Sequence, residues 1–360
     1  MPLSLHWFLP SHGDGRDIGP TREKVTARRE PDIDYLAQVA KAADTLGFDG
    51  VLTPTGLFCE DPWVVATALI HQTSTLEFMI ALRPGLMSPL LLAQMCATFQ
   101  RISGDRLLLN VVAGSDADEQ HRYGDWLDHD QRYERIAEFL SILHGVSHGR
   151  PYDADGAHYR MKNAMLPRPR RPLAPVYLGG SSEAARTVAA AQADVYLAWG
   201  EPPAQIAELC ADVRRRAAEA GRTISCGTRF HVIARSTAEE AWQVADRLLV
   251  GMDPELIERT QRRFGRSESE GQHRMQALVR DRSELEIYPN IWAGYGLVRP
   301  GAGLALVGSH EQIADRIDEY CACGIEHLIL SGQPHLEEAY WFGEGVIPLL
   351  RARGLLRGAP

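Results

Sequence analysis

An arginine and a histidine stand two residues apart in 228-TRFHVI-233, so on a strand Arg229 and His231 project from the same face. Facing into a barrel they make a cationic spot that a bound anion must offset. Facing outward they lie against helices, and the alternation alone allows either phase. A further basic group, Arg299 in 294-GYGLVRPGAG-303, is flanked by glycines and Pro300, which suit a loop that swings. Two such guanidinium groups match a carboxylate, phosphate or sulfonate, whereas a lone surface arginine needs no ligand. Cys59 in 57-LFCED-61 sets a thiol beside two acids, either as a small polarisable group on a site wall or as a buried spectator. The segment 178-LGGSSEAA-185 places Gly180, Ser181 and Ser182 at a helix start. Free N–H groups and hydroxyls there seat a phosphate, or a serine simply caps the helix. Tyr133 adds a phenolic hydroxyl or an ordinary packed ring.

Bringing these residues together requires elements that end at one rim. Short apolar runs near 3–9, 49–53, 76–82, 106–112, 175–179, 194–198, 226–234 and 326–331 read as strands, and most are separated by segments with helical periodicity. DYLAQVAKAADTLGF, for example, ends near Gly47, and SPLLLAQMCATFQRIS carries Pro89 in its first turn. The polar stretch 150-RPYDADGAHYRMKN-163 reads as a hairpin. Eight such units predict a (β/α)₈ TIM barrel over residues 1–360, its site at the C-terminal ends of the strands. That rim collects His12, Thr55, Cys59, Arg83, Asn110, Ser181, Trp199, Arg229, His335 and Tyr340. About ninety residues separate Ala234 from Glu326, more than a helical crossover needs. An insertion before strand eight is therefore expected over 250–310, its charged middle, 261–284, mobile or folded over a ligand.

The balance of the chain narrows the class. Lysine plus arginine number 38 against 47 aspartate plus glutamate, which argues against a nucleic-acid partner. Six cysteines without a CxxC pair fit reduced thiols in the cytoplasm. MPLSLHWFLP has neither the basic segment nor the long apolar run of a signal peptide, and no apolar stretch reaches membrane-spanning length. HExxH, GxSxG and GxGxxG motifs are absent, so metal, serine-hydrolase and nicotinamide-binding readings are unsupported.

Several long motifs in order carry a family resemblance: 6-HWFLPSHGDG-15, 49-DGVLTPTGLFCEDPW-63, 81-ALRPG-85, 175-PVYLGGSSEAA-185, 194-DVYLAWGEPP-203, 228-TRFHVI-233, 290-NIWAGYGLVR-299 and 331-SGQPHLEEAY-340. On these the chain resembles the reduced-flavin-dependent alkanesulfonate monooxygenases of the bacterial luciferase-like superfamily. The resemblance implies a two-component system. A separate NAD(P)H-dependent FMN reductase supplies FMNH₂, which this protein uses with O₂ to cleave an alkanesulfonate to aldehyde and sulfite. It also implies a cytoplasmic homo-oligomer, often a tetramer, acting in sulfur assimilation. Carried over to this sequence, Cys59 lies beside the flavin peroxide, Arg229 and His231 beside the ring and sulfonate, and Tyr340 does acid–base work. Trp199 and His12 shape the substrate pocket, and Arg299 sits on the mobile segment. Thr55, Tyr133, Gly180, Ser181 and Ser182 are expected to hold the flavin and its phosphate. Ala113 replaces the usual threonine of the turn after strand four, 83-RPGLMSP-89 differs from the commoner form, and Phe58 replaces a polar neighbour of the cysteine. Substrate chain length is left open by these changes. A sulfone or other organosulfur substrate, and a non-catalytic flavin-binding barrel, are the alternatives.

Overall fold

Eight apolar segments pair in parallel and close on themselves in a computed structural model that describes residues 2–19, 29–170, 172–250, 252–279 and 284–356. In chain order they are β1 (Ser4–Phe8), β2 (Gly50–Thr53), β3 (Glu77–Leu82), β4 (Leu107–Val111), β5 (Val176–Gly179), β6 (Val195–Trp199), β7 (Ser225–Arg235) and β8 (His327–Ser331). Each strand pairs with its neighbour in sequence, and β8 returns to β1 with Leu5 opposite Leu328. The expected (β/α)₈ barrel is present; six strands fall within the predicted segments, while β6 runs one residue past its segment to Trp199 and β7 one residue past at each end.

The helices between strands begin and end where side chains satisfy the free backbone groups. Asp32 caps helix Ile33–Leu46, and Gly47, with φ of 87°, closes it in a left-handed turn that a side chain would strain. Ser88 caps Pro89–Ser103 by accepting from Leu91 N at 3.2 Å. The 150–163 segment forms the predicted hairpin, strand Tyr152–Asp155 against Arg160–Ala164.

Inside the barrel, Phe8, Leu52, Met79, Ala81, Leu108, Tyr177, Val195, Leu197 and Ile329 form one apolar cluster. Burial of each large member is worth roughly 1.5–3 kcal/mol. Strand β7 adds no side chain to this cluster. Its Gly227 is in register with inward-facing Leu197, and its Arg229 with inward-facing Ile329, while Cys226, Phe230 and Val232 face the outer helices. Registered neighbours on parallel strands point the same way, so Arg229 faces inward.

Strand β7 is also longer than its neighbours, at 11 residues. Its first part pairs with β8 as far as His231, and from His231 onward it pairs instead with strand Ala305–Ser309. That strand continues antiparallel into Ile291–Trp292 and Glu286–Tyr288. Helices Ala238–Leu249, Pro254–Phe264 and Glu270–Leu278 precede this small sheet, and helix His310–Ala322 leads from it back to β8. The described residues between β7 and β8 thus form a structured cap hung from the far half of β7.

Candidate active site

A cavity of about 380 Å³ opens at the C-terminal ends of the strands, within the size range of small-molecule sites. Its floor is apolar, made by Phe8, Leu52, Ala81, Leu197 and Ile329, and its walls carry Arg83, Asn110, Thr55 and Arg229. The cap reaches over it through Ser269, Gly271, Pro300 and Gly301. Polar ties hold that cap to the barrel. Arg274 Nε donates to Glu201 Oε1 at 2.7 Å and Arg132 Nη2 to Glu268 Oε2 at 3.0 Å. Within the cap, Gln272 accepts from Gly301 N at 3.0 Å.

Eight residues singled out from sequence line the cavity: Thr55, Arg83, Asn110, Tyr133, Gly180, Ser181, Trp199 and Arg229. The turn after β5 explains three of them. Gly180 has φ of 138°, and a side chain there would meet the Tyr133 hydroxyl 2.4 Å away, so only glycine lets the backbone lie in this cradle. Ser182 caps helix Glu183–Gln192, accepting from Ala185 N at 3.2 Å, whereas buried Ser181 faces the cavity. The capping role considered for the serine pair thus falls on Ser182. Burial pushes the Tyr133 phenol up to about 12, so it is protonated at neutral pH and can donate.

Arg229 stacks over Phe8, its Cζ 4.3 Å from the ring centroid. Its Nε is buried without a hydrogen-bond partner among the described residues. Burial, then the nearby Arg299 charge, pulls the guanidinium down to about 10, which leaves it charged at neutral pH. Arg299 donates from Nε to Ile18 O at 3.0 Å, which ties the cap to the loop after β1.

His231 does not line the cavity. It is buried one step above Arg229, stacked face to face on Tyr295 at 3.8 Å, with Nδ1 2.8 Å from Ser331 Oγ. Burial, followed by the charges of Arg229 and Arg299, holds it well below the ordinary histidine value, so it is neutral. In this arrangement its ring supports the cap loop. His12 stacks edge-on against Phe8 at 6.2 Å, behind the floor. Cys59 lies on the loop just beyond Thr55, half-buried. Burial raises its thiol, a hydrogen bond with Ser11 lowers it, Glu119 raises it further, and Arg83 and Arg229 pull it down.

Tyr340 is not brought to the site. It sits on helix His335–Gly345 with 43% of its surface exposed. His335, Glu338, Ala339 and Phe342 occupy the buried face of that helix, and position 340 falls outside it. The buried face carries a group that sequence reasoning missed. Asp14 accepts from the His335 backbone N at 2.7 Å, from the Tyr35 hydroxyl, and lies 3.0 Å from His335 Nδ1. Burial alone would raise its carboxyl, but these bonds win and hold it at about 2. His129 and Gly271 of the cap, which also line the cavity, were not singled out either, and no local pattern marks them.

A family model described as luciferase-like monooxygenase matches residues 3–327. Among solved structures, a riboflavin lyase with modified FMN and riboflavin superposes with a TM-score of 0.83 at 19% identity, covering 100% of this chain and 94% of that one. An EDTA monooxygenase from Chelativorans sp. BNC1 gives 0.80 at 19%, covering 99% and 95%. The oxygenating constituent of 3,6-diketocamphane monooxygenase from Pseudomonas putida, in complex with FMN, gives 0.70 at 17%, covering 97% and 99%. At these identities the structures share the barrel. Because the family model spans nearly the whole chain, this protein belongs to the luciferase-like monooxygenases.

Proposed function

We propose that this monooxygenase uses reduced FMN and O₂ to desulfonate an alkanesulfonate. The observation that carries the reading is Arg229: a charged, partly buried guanidinium on the cavity wall, with no carboxylate partner among the described residues, above an apolar floor. Such a site suits an anion attached to an apolar chain. A neutral sulfone would leave the charge unbalanced, which favours the sulfonate over that alternative.

The residues present fit the flavin. The Gly180 cradle, Ser181 and Tyr133 offer N–H and O–H donors for its phosphate, and Leu52, Leu197 and Ile329 offer an apolar bed for its ring. Reduced FMN, when bound, supplies the electrons that activate O₂. Overall, one oxygen atom enters the aldehyde and the other leaves as water. The C–S bond breaks, and sulfite departs with the sulfonate oxygens. Arg229 and Arg299 bind the sulfonate and stabilise sulfite as it leaves. Cys59, un-ionised, offers a weak S–H donor near the reacting oxygen. Trp199 and the cap residues over the cavity exclude water. The protein acts as a homo-oligomer in the cytoplasm, and a separate NAD(P)H-dependent FMN reductase supplies the flavin.

A panel of alkanesulfonates, presented with FMNH₂ and O₂, tests the assignment. Sulfite release from at least one member is expected, and its absence from all of them rejects it.

A further inference from the structure

Trp199 ends β6 in register with Arg229 of β7, so the two side chains stand next to each other on the cavity wall. Its indole is half-buried, and two glycines of the cap rest on the benzo ring. A Cβ on Gly271 would meet Cζ3 at 3.1 Å and Cε3 at 3.2 Å, inside the ordinary approach of two carbons. A Cβ on Gly301 would meet Cζ2 at 3.7 Å, which is normal contact. The ring therefore lies against bare backbone, and its remaining surface borders the cavity.

Local ties fix this spacing. Gly271 sits in helix Glu270–Leu278, and three residues further on Arg274 donates to Glu201 Oε1 at 2.7 Å. Glu201, only 1% exposed, lies two residues beyond Trp199, so a buried ion pair pins the helix over the end of β6. Gln272, next to Gly271, joins the two glycine-bearing segments through its bond from Gly301 N. On the other side of Gly271 is Ser181, its Oγ 3.5 Å from the same Cβ position. Along the rim, Trp199 on β6 thus stands between the cradle after β5 and Arg229 on β7.

That order decides where a substrate tail can run. A sulfonate held by Arg229 has the Phe8 ring against the guanidinium and the Trp199 indole at its side. Past the indole begins the flavin-phosphate cradle. An apolar tail gains contact with each added methylene only until it meets the ring.

We propose that Gly271 sets the longest tail this enzyme accepts, by fixing where the Trp199 indole stands; this rests on the sulfonate reading of Arg229. The limit then belongs to the cap and not to the barrel strands. A side chain at position 271 pushes the indole into the cavity, and a smaller ring at position 199 gives space back.

Anaerobic calorimetric titrations of the full-length protein loaded with FMNH₂, using unbranched sulfonates from methanesulfonate to octanesulfonate, test this. In the wild type each methylene is expected to tighten binding roughly fourfold up to a break, beyond which affinity stops rising. Gly271→Ala, which carries no backbone penalty in a helix, is expected to move the break to a shorter chain while methanesulfonate binding changes by less than about twofold. Trp199→Phe is expected to move it to a longer one. A break at the wild-type length in both variants overturns the proposal. So does a loss in Gly271→Ala that is equal for every length, which marks Gly271 as a seat for the cap alone. A wild type whose affinity climbs without a break overturns the limit and leaves the sulfonate reading standing, and a wild type that binds no sulfonate overturns both.

Discussion

Strand β7 carries two partly buried arginines six residues apart, and they differ in one respect. Arg229 and Arg235 each stack on an aromatic ring, Phe8 at 4.3 Å and Trp341 at 4.8 Å. Arg235 also meets Glu338, with Nη1 donating to Oε2 at 2.9 Å and Nη2 to Oε1 at 2.5 Å, and that carboxylate is only 2% exposed. Arg229 has no carboxylate within ion-pair distance among the described residues, and it borders the cavity. A buried cation that the fold neutralises is part of the architecture. One left unneutralised has its counter-charge supplied from outside, by a ligand.

The largest expected effect tests the structural half of this pair. Arg235→Met leaves Glu338 buried and alone and should cost about 3–5 kcal/mol in urea unfolding. Arg229→Met removes a charge that nothing in the fold balances, so it should be neutral or slightly stabilising in the same assay. Equal destabilisation by the two would break the distinction. The functional half reverses the order: Arg229→Met should lower kcat/KM for sulfonate turnover by about 10²–10³. Arg235→Met, assayed below its melting range, should fall by much less.

How far these roles could be read beforehand varies with the range of the contact that sets them. The strands and the Gly47 stop are local patterns and stood out in the sequence. Alternation in 228-TRFHVI-233 put Arg229 and His231 on one face but could not say which. The answer comes from Leu197 and Ile329, registered neighbours on strands remote in sequence. Tyr340 drew attention by its place after strand eight and by the family resemblance, yet the burial of Ala339 and Phe342 turns it outward. The cap's strands are too short, two or three residues in the hairpin, to show a period. Asp14 and His335 meet across 321 residues, and no local signal marks such a pair.

That pair extends the comparison to acids. Asp14 is the satisfied kind: 1% exposed, with its bonds from His335 and Tyr35 outweighing burial to hold it at about 2 rather than the model-peptide 3.8. A depressed folded value contributes stability that is fully present above the unfolded value and is lost as pH falls through the folded one. The shift corresponds to about 2 kcal/mol. Asp14→Asn should therefore be less stable than the wild type by about that amount at neutral pH. The gap should narrow between about pH 4 and 2. A gap independent of pH across that range would show that the carboxylate charge is not what the network holds.

The smallest effect probes the field of the unneutralised cation directly. Burial raises the Cys59 thiol and Glu119 adds to this, while Arg83 and Arg229 draw it back toward its ordinary value. Replacing Arg229 removes one of those pulls, so the thiol should rise further in Arg229→Met. Arg235→Met should leave it where it is, because Glu338 already cancels that charge at close range. The pH dependence of iodoacetamide labelling at Cys59, followed on the peptide that contains it by mass spectrometry, reads the shift without needing catalysis. It also separates Cys59 from Cys321 and Cys323, the other half-buried thiols among the described residues. A Cys59 profile that moves equally in both variants would mean that neither arginine's field is cancelled locally. The two residues would then differ in position alone, not in what they were placed to bind.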